Sequence, residues 1–571
     1  MRNVKTVIAQ INTTVGDLKG NKDRILSCIE EAVRRKADLI VFPELTITGY
    51  PPEDLVLKPY FIKENIKCVK EIAKEVPGII AIIGFVDEKK GNIYNSAAVL
   101  NNKRIVYVYH KMHLPNYGVF DEKRYFKPGS DNKLIKIKDL RFSVNICEDI
   151  WAEGIGHPST SSFDRLRTTL SLSNGSLGTG RAERVLKKAD FLVNISASPY
   201  HIDKTKERER VIGGKAKRFN IPIVYCNLIG GQDELVFDGR SALFWKDGKI
   251  IKEAKAFNED LFLFDLPLSV NVGNGLKPFP TEMRVQTISK DEEIYSALVL
   301  GVRDYAHKNN FKKAALGLSG GIDSALVACI AKDALGKDNV LAVSMPSGYS
   351  SKGTQDDAEK IAGNIDIKFL KVPISNIFSS YLDTLSPHFK GLEPDITEEN
   401  IQARIRGNIL MAFSNKFGFL VLNTGNKSET SAGYCTLYGD MTGGFSVIKD
   451  APKKLVYELA RYRNKKYGKE IIPESVFKRA PTAELRPDQK DQDTLPPYGL
   501  LDRIIDLYIE KNKSFSDIVK CIGNKDVVKK VLKMIDSSEY KRRQAAPGVK
   551  ITPMAFGKDR RMPITNKFTH Y

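Results

Sequence analysis

Residues Gly317 to Ala325 read GLSGGIDSA. An apolar run ends at their start and a helical pattern begins near Asp323, which leaves Ser319, Gly320 and Gly321 in the turn. Two glycines let the backbone approach a ligand closely, and a helix N-terminus aims free amides and the positive end of its dipole at the same point. An anion belongs there. Ser319 and Ser324 offer it hydroxyls, and Asp323 offers a carboxylate for Mg2+. The spacing is not GxxxxGK[ST], so a kinase-type phosphate loop is excluded. A second set of residues lies in the first half of the chain. Three predicted strands end in a reactive side chain: DLIVFPE in Glu44, VYVYHK in Lys111, and FSVNICED just past Cys147. A cysteine becomes a nucleophile when a cation stabilises its thiolate and a base takes its proton. Glu44 is the candidate base and Cys147 the candidate nucleophile. Lys111 is the candidate cation that holds a tetrahedral oxyanion together with a backbone amide after Cys147. Taken singly, a buried strand-end cysteine is more often packing than catalysis.

Side chains of these kinds need an α/β scaffold to bring them together. From the start to about residue 266, short apolar runs alternate with helical patterns: helices at Asp23 to Lys36 and Phe61 to Val76, strands at Asp38 to Phe42 and Ile79 to Phe85. Further strands are predicted at 105–109, 142–146, 191–195, 221–226, 241–245 and 261–264. The first segment, MRNVKTVIAQINTTVGD, lacks the features of a secretory signal and is expected to be an amphipathic strand. Residues 267–286, rich in Pro, Gly and Asn, are expected to be a linker between a domain over 1–266 and one over 287–571. In the second domain, helices at 291–308, 323–335 and 398–416 alternate with strands at 313–318, 340–345, 368–372 and 419–422. That order predicts a doubly wound parallel sheet with ligands at its strand ends. Two strand ends carry polar loops, MPSGYSS (345–351) and TGNKSE (424–429), and Glu429 in the second can join Asp323 on magnesium. The Ser/Thr/Gly-rich run 154–180 is expected to be an exposed loop.

Composition sets outer bounds. A chain of 571 residues exceeds one hydrophobic core, and its 42% apolar and 28% charged residues are ordinary for a globular protein. No apolar stretch approaches the ~20 residues that span a bilayer, so no membrane partner is expected and the expected location is the cytoplasm. Seven cysteines, odd in number and free of CxxC pairs, support neither a disulfide framework nor a zinc site. The net charge of +20 raises nucleic acid as a partner. The basic residues are spread over predicted helix faces with no recognisable binding module, so no nucleic-acid partner is expected.

The loop SGGIDS has the pattern of the ATP pyrophosphatase loop, found in enzymes that split ATP between its α and β phosphates. With MPSGYSS, ENIQARIRGN, YGDMTGG, PTAELRPDQKDQD and KRRQAAPGVKIT in this order, the second half resembles the synthetase domain of NAD synthetases. FPELTITGYPPEDL, HKMHLPNYGVFDEKRYF, NICEDIW and NISASPY resemble the nitrilase-type glutaminase domain of the glutamine-dependent members of that family. The resemblance implies a nitrilase-like α-β-β-α sandwich followed by an adenine nucleotide alpha hydrolase-like domain. It also implies a ligase that consumes ATP as co-substrate with Mg2+ as cofactor, and that converts deamido-NAD to NAD with ammonia from glutamine. Glu122 matches a second glutamate that orients Lys111 and the substrate, while Tyr117, Phe120, Ser198 and Lys204 are expected around the glutamine. Gly317, Ser319, Gly320, Gly321, Asp323, Ser324, Thr424 and Glu429 are expected on ATP, with Asp323 and Glu429 on the metal. Asn400, Arg404, Tyr434, Asp440, Lys453, Thr482, Lys490, Lys541 and Arg542 are expected on deamido-NAD. The run 154–180 is longer than the link usual in the family. Free ammonia is mostly protonated near neutral pH, so the resemblance further implies shielded transfer between the sites, coupling of glutamine hydrolysis to synthetase occupancy, and a homo-oligomer.

Overall fold

The computed structural model describes residues 3–151, 185–268, 288–569 and 571. These fall into two compact units: Met1–Gln232 with Val236–Ile288, and Asp233–Leu235 with Ser289–Tyr571. Most of the linker 267–286 and the Ser/Thr/Gly run 154–180 lie outside the described residues, and Pro267 itself ends a strand. No helix of the described residues is long and apolar enough to cross a membrane.

The first unit is a sandwich of two six-stranded sheets. One sheet is built from β1 (Asn3–Gln10), β2 (Leu39–Val41), β3 (Ile80–Lys89), β4 (Asn92–Asn101) and β5 (Arg104–His110). The other contains β6 (Ile135–Ile137), β7 (Leu140–Ile146), β8 (Phe191–Ser196) and β9 (Ile223–Asn227). After the hairpin β10 (Ile229–Gln232) and β11 (Leu235–Asp238), β12 (Ala242–Phe244) and β13 (Ile250–Glu253) complete the second sheet, and β14 (Asp260–Pro267) returns to the first. The orders are β14-β1-β2-β3-β4-β5 and β13-β12-β9-β8-β7-β6.

Side chains on a strand alternate between faces, and here both faces of each sheet have work to do. Val4, Ile8, Val41 and Ile82 meet Phe142, Val144, Ile146 and Val193 between the sheets. Val7, Ala9, Ile40 and Ile83 point the other way, onto Ile25, Ile29, Val69 and Ile72 of the helices Leu18–Arg34 and Pro59–Glu75. The second sheet is covered by the helix Lys204–Phe219 through Ile212 and Ala216. This is the α-β-β-α sandwich expected. The strands therefore read as continuous apolar runs, as in parallel sheets buried on both faces. One expectation fails: β1 is not amphipathic, because Thr6 and Gln10 are as buried as Val7 and Ile8. Gln10 is tolerated there because its amide donates to the Lys255 and Asn258 carbonyls and its oxygen accepts the Ser241 amide.

The second unit carries a five-stranded sheet in which every pairing is parallel. Its strands are β15 (Ala314–Gly317), β16 (Val340–Ser344), β17 (Lys368–Lys371), β18 (Leu420–Asn423) and β19 (Phe445–Ser446), in the order β17-β16-β15-β18-β19. The order reverses around β15, and that switch point opens a crevice at the carboxyl ends of the strands.

Gly84 on β3 has a specific role. A Cβ there would lie 2.3 Å from the Leu45 amide nitrogen and 2.4 Å from the Pro43 carbonyl oxygen, so β3 packs directly against the turn that carries Glu44. Gly84→Ala is expected to cost about 2–3 kcal/mol by overpacking. Gly91→Ala, at φ +74° with open space around its Cβ, should cost ~1 kcal/mol. Urea unfolding of the two variants checks this, and equal costs would mean that the Glu44 turn yields.

Candidate active sites

In the first unit, the ends of β2, β5 and β7 converge on one buried ion cluster. Lys111 Nζ lies 2.7 Å from Glu44 Oε1 and 2.9 Å from Glu122 Oε1, and the side chains of Lys111 and Glu44 have no exposed surface. Glu44 is fixed on both oxygens: Oε1 also accepts from Asn95 Nδ2 at 2.7 Å, and Oε2 accepts the Ala197 amide at 2.9 Å. The Lys111 amide donates to the Asn95 carbonyl, so one residue of β4 registers both members of the pair. Glu122 Oε1 accepts from Tyr50 Oη at 3.0 Å, while its buried Oε2 has no partner among the described residues.

Cys147 follows β7 and opens a short turn, Cys147–Ile150, with φ at +41°. A non-glycine residue in that region is uncommon and strained, a frequent property of reactive positions. Burial holds its thiol well above the ordinary cysteine pKa, and Glu44 adds to the rise against the pull of Lys111. The resting thiol is therefore neutral, and its activation requires a base beside it. Burial acts against the Lys111 ammonium, but Glu122 and Glu44 outweigh it and keep the lysine charged. The same burial pushes Glu122 up to about 7, with Lys111 opposing and Glu44 reinforcing the shift.

Around this cluster, Tyr117 Oη donates to Glu148 at 2.8 Å and the Phe120 ring stands edge-on to Tyr117 at 5.4 Å. Ser198 is buried, its amide donating to Asn227, and its carbonyl accepts from Arg208, which is itself paired with Asp238. Lys204 lies over the Trp151 ring at 4.2 Å and bonds Glu207 at 2.9 Å.

In the second unit, the turn Leu318–Gly321 leads into the helix Ile322–Leu335. Gly320 sits at φ +85° where a Cβ would lie 2.0 Å from the Thr354 carbonyl, so no other residue fits. The hydroxyls of Ser319 and Ser324 are 3.2 Å apart, and Gly321 donates its amide to Ser319 Oγ. Asp323 and Glu429 converge on one nitrogen: Lys453 Nζ is 2.5 Å from Asp323 Oδ2 and 2.9 Å from Glu429 Oε1. Burial pushes Glu429 up to about 7, with Lys453 opposing and Asp323 adding to the rise. Thr424, just past β18, is partly buried in the loop that leads to Glu429.

The remaining predicted residues divide. Asn400 Oδ1 accepts from Thr436, whose amide donates to Asp440, and Tyr434 Oη donates to Asp491 at 3.3 Å. Thr482 Oγ1 accepts the Glu484 amide. Lys541 caps the Gly433 and Cys435 carbonyls and so holds Tyr434 between them. Lys490 and Arg404 are exposed, and Arg404 reaches the Leu437 carbonyl. Arg542 is buried, and its guanidinium donates to the Ser431 and Ile535 carbonyls and to Glu539. Lys453, expected on deamido-NAD, donates to both predicted metal carboxylates, Asp323 and Glu429.

Sequence reasoning passed over Tyr50, Asn95 and Glu148 at the first site and Asn426 at the second. Asn426 donates to Asp323 Oδ1 at 2.9 Å and caps the helix Lys427–Ala432 by accepting the Glu429 amide. Its Asn-x-x-Glu spacing is a helix-start signature and would have found it.

The two folds and their strand-end clusters define a class of protein, an amidase-type sandwich joined in one chain to a nucleotide-binding α/β unit. The family model for carbon-nitrogen hydrolases matches residues 5–156 and that for NAD synthase matches residues 294–545. The chain is 46% identical to the glutamine-dependent NAD(+) synthetase of Thermotoga maritima, over 100% of this chain and 99% of that one. The structure of the glutamine-dependent NAD+ synthetase from Acinetobacter baumannii in complex with adenosine diphosphate is similar at a TM-score of 0.74 and 39% identity, covering 100% of both chains. That from Cytophaga hutchinsonii, at 22% identity, shares the fold at a TM-score of 0.82 over 99% of this chain and 98% of that one. The chain belongs to the glutamine-dependent NAD(+) synthetase family.

Glu122 gives a pH test. An unfolded glutamate titrates near ~4.3, so the folded chain binds this proton more tightly, and stability contributed by the group is lost as pH rises toward 7. Glu122→Gln removes the charge but keeps an acceptor for Lys111 and Tyr50. Its effect on unfolding free energy should be about 2 kcal/mol more favourable at pH 8 than at pH 5; denaturant melts showing the opposite trend would refute the assignment.

Proposed function

We propose that this chain makes NAD by two reactions, glutamine hydrolysis at Cys147 and ATP-dependent amidation of deamido-NAD at the Asp323 site. One observation carries the reading: Lys111, with no exposed side-chain surface, stands between Glu44 and Glu122 beside a buried, strained Cys147.

At the first site, Glu44 takes the Cys147 proton as the thiolate attacks the side-chain amide carbon of glutamine. Lys111 and a backbone amide hold the oxyanion. Collapse of the tetrahedral species breaks the C–N bond, Glu44 returns the proton to the leaving nitrogen, and ammonia departs from a glutamyl thioester. Water, deprotonated by Glu44, then attacks the thioester and releases glutamate and the thiol. Glu122 Oε2, buried and without a partner among the described residues, is placed to accept an N–H from the substrate amide. Tyr117, Phe120, Ser198 and Lys204 line the glutamine.

At the second site, the nicotinate carboxylate of deamido-NAD attacks the α-phosphorus of ATP and pyrophosphate leaves. Ammonia then attacks the acyl-adenylate carbonyl and AMP leaves. Adenylation is needed because a carboxylate has no leaving group for an amine to displace. Gly317, Ser319, Gly320, Gly321, Ser324 and Thr424 hold the ATP. Asn400, Tyr434, Asp440, Thr482 and Lys541 surround deamido-NAD, with Arg404 and Lys490 at its exposed edge. The donor set of Asp323 and Glu429 fits Mg2+, since two carboxylates close enough to share Lys453 Nζ can share another cation, and phosphate oxygens and water commonly complete such a shell. Bound there, Mg2+ would neutralise charge on the pyrophosphate leaving group. A homo-oligomeric enzyme in the cytoplasm completes the reading.

The test is NAD formation from ATP, Mg2+, deamido-NAD and either glutamine or ammonium. Cys147→Ala should lose glutamine use by at least ~10³-fold and keep ammonium use, whereas Asp323→Ala should lose both. Retained glutamine use by Cys147→Ala would refute the assignment of the nucleophile.

A further inference from the structure

Lys111 follows β5 of one sheet and Cys147 follows β7 of the other. Among the described residues no β-ladder joins these two sheets, so contacts involving side chains help to set their relative placement. Glu44 spans them through the Ala197 amide, and a second carboxylate bridges them at the catalytic level. Asp149 Oδ1 accepts the amides of Met112 at 3.1 Å and His113 at 2.8 Å, and lies 3.1 Å from His113 Nδ1. Asp149 Oδ2 accepts from Tyr109 Oη at 2.8 Å and from the Ile146 amide at 3.0 Å. Met112 is the residue directly after Lys111, and Ile146 is the residue directly before Cys147.

We propose that Asp149 is a positioning residue for glutamine hydrolysis: it clamps the chain leaving Lys111 to the chain entering Cys147 and so sets the oxyanion-holding ammonium against the nucleophile. The inference rests on the Cys147 reading above and deepens it. The carboxylate's side chain is 2% exposed. A buried acceptor with donors arriving from two sheets is a rigid link, because ionised oxygens bind amides about twice as strongly as neutral ones do. The Ile146 tether also anchors the turn in which Cys147 keeps its positive φ. A structural brace could sit anywhere in the sandwich; this one touches the immediate chain neighbours of two of the reacting side chains.

The experiment is Asp149→Asn, which keeps the shape but turns one acceptor into a donor facing other donors. Glutamine hydrolysis is measured per active site, with Cys147 titrated by a diazoketone analogue of glutamine, alongside ammonium-driven NAD formation. Expected are a loss in kcat per titrated site on the order of 10²-fold, a KM for glutamine within about threefold of wild type, and ammonium-driven synthesis at the wild-type rate. Tyr109→Phe removes a single donor and should lower kcat per titrated site about two- to tenfold, which keeps the proposal testable if Asp149→Asn does not fold. Wild-type kcat per titrated site in either variant, a rise in KM with kcat unchanged, or a parallel loss of ammonium-driven synthesis would overturn it. If Cys147→Ala is inactive with glutamine while Asp149→Asn turns over normally, the clamp alone is wrong and the nucleophile stands.

Discussion

An ammonium sealed from solvent dictates much of the first unit. Removing Lys111 from water costs several kcal/mol unless opposite charge is built around it. Glu44 and Glu122 supply that charge, and together they overcompensate, two carboxylates to one cation. Burial is the main cause of the raised Glu122; the excess negative charge adds to it and helps to keep the Cys147 thiol protonated. A cysteine in such a field cannot rest as a thiolate, so a base must act at the moment of attack. Glu44 is fitted for it by Asn95 and the Ala197 amide, which hold both its oxygens in place. The sandwich follows from the same need, because charges this buried require strand ends converging from both sheets and a packed layer behind each.

The second unit meets a similar problem with the same balance of charge. Two carboxylates, Asp323 at a helix start and Glu429 in the first turn of another helix, are held together by Lys453. Burial and mutual repulsion raise Glu429 to about 7, so the pair is poised to gain from any cation placed between them. Gly320, pinned against the Thr354 carbonyl, sets where the Leu318–Gly321 turn stands relative to these carboxylates. A chain with both clusters can release ammonia and use it, which is the economy of this family.

The sequence exposed the chemistry better than the supports. Glu44, Lys111 and Cys147 were legible because each closes an apolar run, and Asp323 because glycine spacing before a helix has few other meanings. Parallel order in the second sheet followed from strands alternating with helices. Asn95 was not legible, since it lies inside β4 (NIYNSAAVLN), where it reads as a polar break in an apolar run until its partner Glu44 is seen. The helix Lys204–Phe219 was missed because its sequence is largely charged and carries Gly213 and Gly214; Ile212, Ala216 and Phe219 give it a short apolar anchor.

The central claim is that the buried ion cluster arms Cys147 for covalent catalysis. It is tested most directly by acid-quenching the enzyme during glutamine turnover and mapping peptides by mass spectrometry. The account predicts a glutamyl group on the peptide containing Cys147, lost on chasing with buffer. Turnover without any cysteine adduct, or an adduct on Cys226 or another thiol, would contradict it.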